Sequence, residues 1–272
     1  MNNKQNLHTH TTYGDGKNSP EEMILEAIAQ GFDSIGFSEH SGGPDLADPD
    51  QKTAENLKRY QAEIYRLKEK YKGTIDVFCG IELELFSAFV AEGYDYLIGS
   101  VHCLNINGEI LDFDSKLPQT LRYIEDNFGG DGLGFAKTYF ATVATLPERA
   151  KIDILGHFDL ITKNNEKGGF LDTTTKEYLF AGYEAIHALQ GKIPLFEVNT
   201  GAISRGYRTS PYPQKEFLKE FQKCGFGAVI TSDCHNKTYL GYFYEEAEAL
   251  LKEAGFKSRW ILTDDGFREV AI

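Results

Sequence analysis

Residues 5–40 read QNLHTHTTYGDGKNSPEEMILEAIAQGFDSIGFSEH, and this stretch decides the fold. It opens on a short β-type run at Gln5–His8 and closes on another at Ser34–Glu39. Between them, Ser19-Pro20-Glu21-Glu22 supplies a capping hydroxyl, a proline at the first helical position and a glutamate at the third. An apolar run follows, and Gly31 ends it. Strand, helix and strand in this order form the unit of a parallel sheet. The unit repeats outward. Further strand-like runs at Ile75–Glu82, Tyr94–His102, Ile152–His157, Leu195–Asn199 and Ala228–Asp233 bring the strands to seven, with a short eighth run at Trp260–Thr263. Before the third strand, Leu57, Tyr60, Ile64, Leu67 and Tyr71 recur at spacings of three and four. They make one apolar helical stripe, suited to packing on the sheet and stopped by Gly73.

The chain has 272 residues, and α/β barrels run to about 200–250 residues as one domain, so residues 1–272 are expected to form a single domain. No tract rich in Pro, Gly or Ser divides it. The long loops fall after strands, at Ser41–Asp50, beyond His102 and at Thr200–Gln214, where function concentrates. With 41 acidic against 28 basic residues, the net charge of -13 repels a long polyanion. The same charge suits divalent cations and a cationic small substrate. The start shows no apolar leader, and nothing approaches the ~18 apolar residues of a membrane span, so a cytoplasmic location is expected. Cys79, Cys103, Cys224 and Cys234 lack CxxC spacing and read as reduced, mostly buried thiols.

Six of the seven histidines lie at or just past a strand end: His8, His10, His40, His102, His157 and His235. Glu82 and Asp233 end strands as well. In a parallel barrel all carboxyl ends open on one face, so residues from position 8 to position 235 converge in one mouth. Imidazole and carboxylate together suit Zn, Mn or Fe, and bound cations relieve the repulsion among packed carboxylates. His8 and His10, and likewise Asp233 and His235, are two apart and share a face under the period of a strand. Cys234 then points away and is not counted as a ligand. His187 falls in a helical segment and receives no role.

The successive motifs Leu7-His8-Thr9-His10-Thr11-Thr12, Asp15-Gly16, Ser38-Glu39-His40, Gly80-Ile81-Glu82, Gly99-Ser100-Val101-His102, Gly156-His157-Phe158-Asp159 and Ser232-Asp233-Cys234-His235 resemble those of the polymerase-and-histidinol-phosphatase family. The resemblance runs from the first strand to the last. It implies a distorted (β/α)7 barrel, TIM-like, with three divalent metal ions at the C-terminal ends of the strands. Carried over, His8, His10, Glu82 and Asp233 bind the first ion. Glu82 bridges to a second, held by His102 and His157, and Asp15, His40 and His235 hold the third. Glu82, Asp233 and His235 are the catalytic candidates. The stretch Asn199–Arg208 looks like the histidinol-phosphatase branch, in which an arginine grips the substrate phosphate; Arg205, Arg208 and Lys163 are the substrate-binding candidates. Where that branch often carries a second arginine after the histidine matching His157, this chain has Thr162 and Lys163. Lys163 brings charge without a bidentate fork.

The implied reaction is hydrolysis of L-histidinol phosphate to L-histidinol and phosphate in histidine biosynthesis, by attack of a metal-bridging hydroxide. The general acid is left unassigned. The alternative is a phosphodiesterase or exonuclease of the same family acting on nucleotides or nucleic acid; the acidic balance and the lack of an aromatic and basic groove speak against it. A metal-binding module without catalysis would be expected to have lost ligands, and all nine positions are filled. An amidohydrolase-type deaminase would want a strand-borne lysine, and none is apparent. Oligomeric state is not legible.

Overall fold

The computed structural model of the chain describes residues 3–42 and 54–272, so the expected loop at 41–50 lies beyond them from residue 43 onward. The strands are β1 (Gln5–Asn6), β2 (Ser34–His40), β3 (Asp76–Glu84), β4 (Tyr96–Ser100), β5 (Cys103–Ile106), β6 (Glu109–Asp112), β7 (Ile154–Leu155), β8 (Leu195–Asn199), β9 (Gly227–Thr231), β10 (Ser258–Thr263) and β11 (Gly266–Ala271). One parallel sheet runs β1-β2-β3-β4-β7-β8-β9. Its first and last strands meet just past their ends, where Thr9 bridges Cys234 in parallel, with His10 N donating to Cys234 O at 2.9 Å and Cys234 N to His8 O at 3.1 Å. The result is a nearly closed seven-stranded barrel, the distorted TIM-like architecture that the family resemblance implies. The eighth run does form a strand, but β10 pairs antiparallel with β11 in a separate hairpin and is not a strand of the barrel sheet.

Alternation along β3 shows how the barrel is filled. Val77, Cys79 and Ile81 turn outward and pack with Met23 and Ile24 of helix Pro20–Ala29 and with Leu57, Tyr60, Ile64 and Leu67 of helix Ala54–Tyr71. Phe78 turns inward to Leu7, Tyr96, Ile98, Ile154, Leu195, Val229 and Leu262. Gly80, the next inward position, makes room for Tyr96: a Cβ there would stand 2.3 Å from the ring. The Tyr96 hydroxyl donates to the carbonyls of Leu7 and Phe37, tying β4 to β1 and β2 across the interior. Glu82 and Glu84 are the next inward positions, at the carboxyl end. At the opposite end the β10–β11 hairpin closes the barrel, and Gln5 exchanges hydrogen bonds of 2.8 Å with the backbone of Leu262. No helix among the described residues is long and apolar enough to cross a membrane.

Candidate metal centre

The sheet register brings the candidate residues together. His40 pairs with Glu82 at the ends of β2 and β3, His8 and His10 flank the seam bridge at Thr9, and Asp233 and His235 flank it at Cys234. His102 and His157 each follow their strand by two residues. All nine expected ligand residues lie at this carboxyl mouth. Glu82 is at its centre, fully buried. Its Oε1 faces His157 Nε2 at 2.9 Å and His102 Nε2 at 3.3 Å. Its Oε2 faces His8 Nε2 at 3.3 Å, His10 Nε2 at 3.6 Å and His40 Nδ1 at 2.8 Å. The carboxylate thus spans two groups of imidazoles.

Asp233 Oδ1 lies 3.2 Å from His10 Nε2 and 3.7 Å from His8 Nε2. Its backbone takes φ 45°, a left-handed conformation that aspartate tolerates better than most residues, and such strain clusters at functional positions. Asp15 stands 3.3 Å from His235 Nε2 and 3.7 Å from His40 Nε2. His10, Asp15, His40 and His235 offer ligand atoms within 4.8 Å of one another, and so do His8, His10 and Asp233, and His40, Glu82 and His102. His40 therefore belongs to two neighbouring groups, nearer to Glu82 than its expected place beside Asp15 and His235 implies.

These residues fit divalent metal ions. The buried atoms His8 Nε2, His10 Nδ1 and Nε2, Glu82 Oε2 and His157 Nδ1 have no hydrogen-bond partner, whereas buried polar atoms as a rule have one. Burial, helped by His235 and His40, pushes His10 down to about 3, leaving the neutral imidazole that a cation needs. Burial alone would neutralise Glu82, but His40, His8 and His102 outweigh it and hold the carboxyl well below its usual range. Cys234 is not a ligand: its thiol donates to Asn236 O at 2.8 Å.

Behind the ligands stand carboxylates that were not singled out from the sequence. Glu197 Oε2 lies 2.9 Å from His8 Nδ1, and its Oε1 accepts from His157 N at 2.6 Å. Glu84 Oε2 lies 2.9 Å from His102 Nδ1 and accepts from His102 N at 2.8 Å. Carboxylates in this position fix which ring nitrogen is free to bind a metal. Glu39, which burial pushes up to about 8, accepts from Thr11 N and Oγ1 and stands 3.9 Å from His10 Nδ1. Period-two alternation was the available signal: Glu84 is two residues past Glu82, and Glu197 is the inward position between Leu195 and Asn199.

All the candidate ligands except His8 and His10 line a cavity of about 270 Å³, whose other walls include Asp114, Leu160, Lys163, Arg205 and Tyr207. Arg205 reaches in, with Nη2 on Asp233 Oδ2 at 2.8 Å and Nη1 3.0 Å from His235 Nδ1. Gly201 permits this, since a Cβ there would stand 2.8 Å from Asp233 Cβ and 3.2 Å from Arg205 Nη2. Lys163 also lines the cavity, but its Nζ is held by Asp114 at 2.7 Å and lies 4.9 Å over the Tyr207 ring. Arg208 does not line it. Buried, it turns to Asp159 at 3.5 Å and to the Thr162 hydroxyl, and its guanidinium stacks 4.4 Å over Tyr212, which places it behind the cavity wall.

Comparison with known proteins gives the family and supports the fold. The family described as PHP domain matches residues 6–199. A probable histidinol-phosphatase of Schizosaccharomyces pombe is 28% identical over 263 residues, covering 88% of this chain and 82% of that protein. The histidinol-phosphatase of Lactococcus lactis is 27% identical over 269 residues, covering 93% and 92%. Among solved structures, histidinol phosphate phosphatase from Lactococcus lactis, complexed with zinc, L-histidinol and phosphate, superposes with a TM-score of 0.71 at 22% identity, covering 98% of this chain and 99% of that one.

Proposed function

The chain belongs to the PHP domain family, and from that premise we propose that it is a metal-dependent phosphomonoesterase, a histidinol-phosphatase that hydrolyses L-histidinol phosphate, with residues 1–272 forming one catalytic domain. The observation that carries the reading is Glu82, whose two oxygens face separate imidazole groups at the floor of a small cavity that Arg205 enters. The names of the relatives narrow the substrate to histidinol phosphate.

His8, His10, Glu82 and Asp233 would hold one ion, Glu82, His102 and His157 a second, and Asp15, His40 and His235 a third, each Zn, Mn or Fe. When bound, such ions lower the pKa of a water and neutralise the non-bridging phosphate oxygens. The protein's own part is orientation. Glu197 and Glu84 fix His8 and His102, and Arg205 spends one of its five N–H donors on Asp233, which leaves others for a phosphate in the cavity. Glu82, Asp233 and His235 line that cavity and are the groups nearest the reacting phosphate. Lys163 contributes charge beside it. A cavity this small suits a phosphomonoester better than a polynucleotide.

The test is phosphate release from L-histidinol phosphate, other monoesters and diesters, by protein loaded in turn with Zn, Mn and Fe. Histidinol phosphate should lead, and a preference for diesters would overturn the reading. Arg205→Met should lower kcat/KM on the monoester about 30- to 1000-fold by losing a charge-assisted contact, with metal content unchanged and Lys rescuing only in part. An equal loss on a diester would remove Arg205 from recognition of the phosphomonoester dianion.

A further inference from the structure

Away from the barrel mouth, on the outer helices, His187, Glu220 and Cys224 each offer a ligand atom, and the three atoms lie within 4.8 Å of one another. His187 stands in the last turn of helix Lys176–Leu189; Glu220 is in the last turn of helix Lys215–Lys223, and Cys224 caps it. Two helix carboxyl ends, each carrying partial negative charge, thus meet at this cluster, which favours a cation. His187 Nε2 is 2.8 Å from Glu220 Oε1, and Lys223 Nζ holds the other carboxylate oxygen at 2.8 Å, so Oε1 stays turned toward the histidine. Cys224 is partly exposed, which leaves an approach from solvent.

We propose that His187, Glu220 and Cys224 form a surface site for a thiophilic divalent cation such as zinc, separate from the barrel centre and tying the two helices together. Imidazole, carboxylate and thiolate together select zinc-like ions over magnesium or calcium, which prefer oxygen alone. Three protein ligands and a fourth position open to water complete a tetrahedral set. Binding displaces the Cys224 proton to solvent and exchanges the hydrogen bond between His187 and Glu220 for two bonds to the ion. The residues touch none of the proposed catalytic machinery, so loss of the site should leave phosphatase activity unchanged.

The barrel donors are nitrogen and oxygen only, so a thiolate-to-metal absorption band reads this site alone. Titration of the metal-loaded protein with Cd2+ should raise such a band, saturating at about one ion per chain. It should vanish in Cys224→Ser and need several-fold more Cd2+ in His187→Ala, and Cd2+ should raise the Tm of the parent protein more than that of Cys224→Ser. No band in the parent protein, a band that survives Cys224→Ser, or one indifferent to His187→Ala would overturn the proposal.

Discussion

Glu197 accepts from four partners while fully buried: His8 Nδ1 at 2.9 Å, His157 N at 2.6 Å, Asn199 Nδ2 at 2.9 Å and Thr231 Oγ1 at 2.7 Å. A carboxylate only accepts, so His8 carries its proton on Nδ1 and presents Nε2 to the cluster. In Glu197→Gln one oxygen faces donors that needed two, and the amide N–H competes with His8 for the same space. Apparent zinc affinity should fall about 10- to 100-fold, with activity restored by excess metal. Wild-type affinity in a chelator competition would show that Glu197 does not set the ligand. The same carboxylates make metal binding depend on pH. Burial would strip the second proton from His8 and His102, but Glu197 and Glu82 around the first, and Glu82 and Glu84 around the second, outweigh it and raise both well above the ordinary histidine value of 6.5. In the metal-free chain both rings then hold their second proton more tightly than an ordinary histidine, and a cation must displace it. Apparent zinc affinity should rise from pH 6 to pH 8 with proton release in a weakly buffered titration; a flat profile would contradict the raised values.

Single elements differ in how much of them is written locally. Ser19 caps helix Pro20–Ala29 through a full capping box, its hydroxyl accepting from Glu22 N while Glu22 accepts from Ser19 N at 2.9 Å. Ser19→Ala should therefore lower stability by about 1 kcal/mol, read as a shift in denaturation midpoint, with kcat/KM unchanged. That helix, its stop at Gly31 and the stripe on helix Ala54–Tyr71 are legible in the sequence because caps and periodicity act within a few residues. The seven strands are legible for the same reason, and so is their His and carboxylate content. Less local features escape. The segment after His102 reads as loop, yet it holds the β5–β6 hairpin, turned by Asn107 and Gly108 at φ 55° and 94°, a pairing that Asn-Gly favours and that was there to be read. Strand β10 shows its type in sequence but not its partner, since only the whole chain sets whether it joins the barrel. Arg208 and Arg205 differ by three positions in one loop, and which of them faces the cavity depends on Asp159 and Asp233, residues far away in sequence.

At the scale of the whole molecule, the barrel is unevenly held. Strands β2 and β3 pair over seven residues, whereas β1 and β7 are two residues each, and the seam between the first and last strands of the sheet has one bridge, Thr9 to Cys234 with its two backbone hydrogen bonds, supported by the Asn6 side chain bonded to Ser232. The candidate ligands His8 and His10 stand on one side of that seam and Asp233 and His235 on the other, so metal ions shared between them would bind only the closed barrel. A ligand that binds the native state alone stabilises it by mass action, and the gain is largest where opening destroys the site. Chelation should therefore lower Tm and act locally first. Amide hydrogen exchange at His10 and Cys234 should accelerate strongly on removing metal, while amides in Ser34–His40 of β2 change little until global unfolding. Restoring zinc should slow the seam again. Equal acceleration along β2 and across the seam would mean that the ions stabilise the barrel as one unit, and an unchanged seam would mean that they do not bridge its two edges.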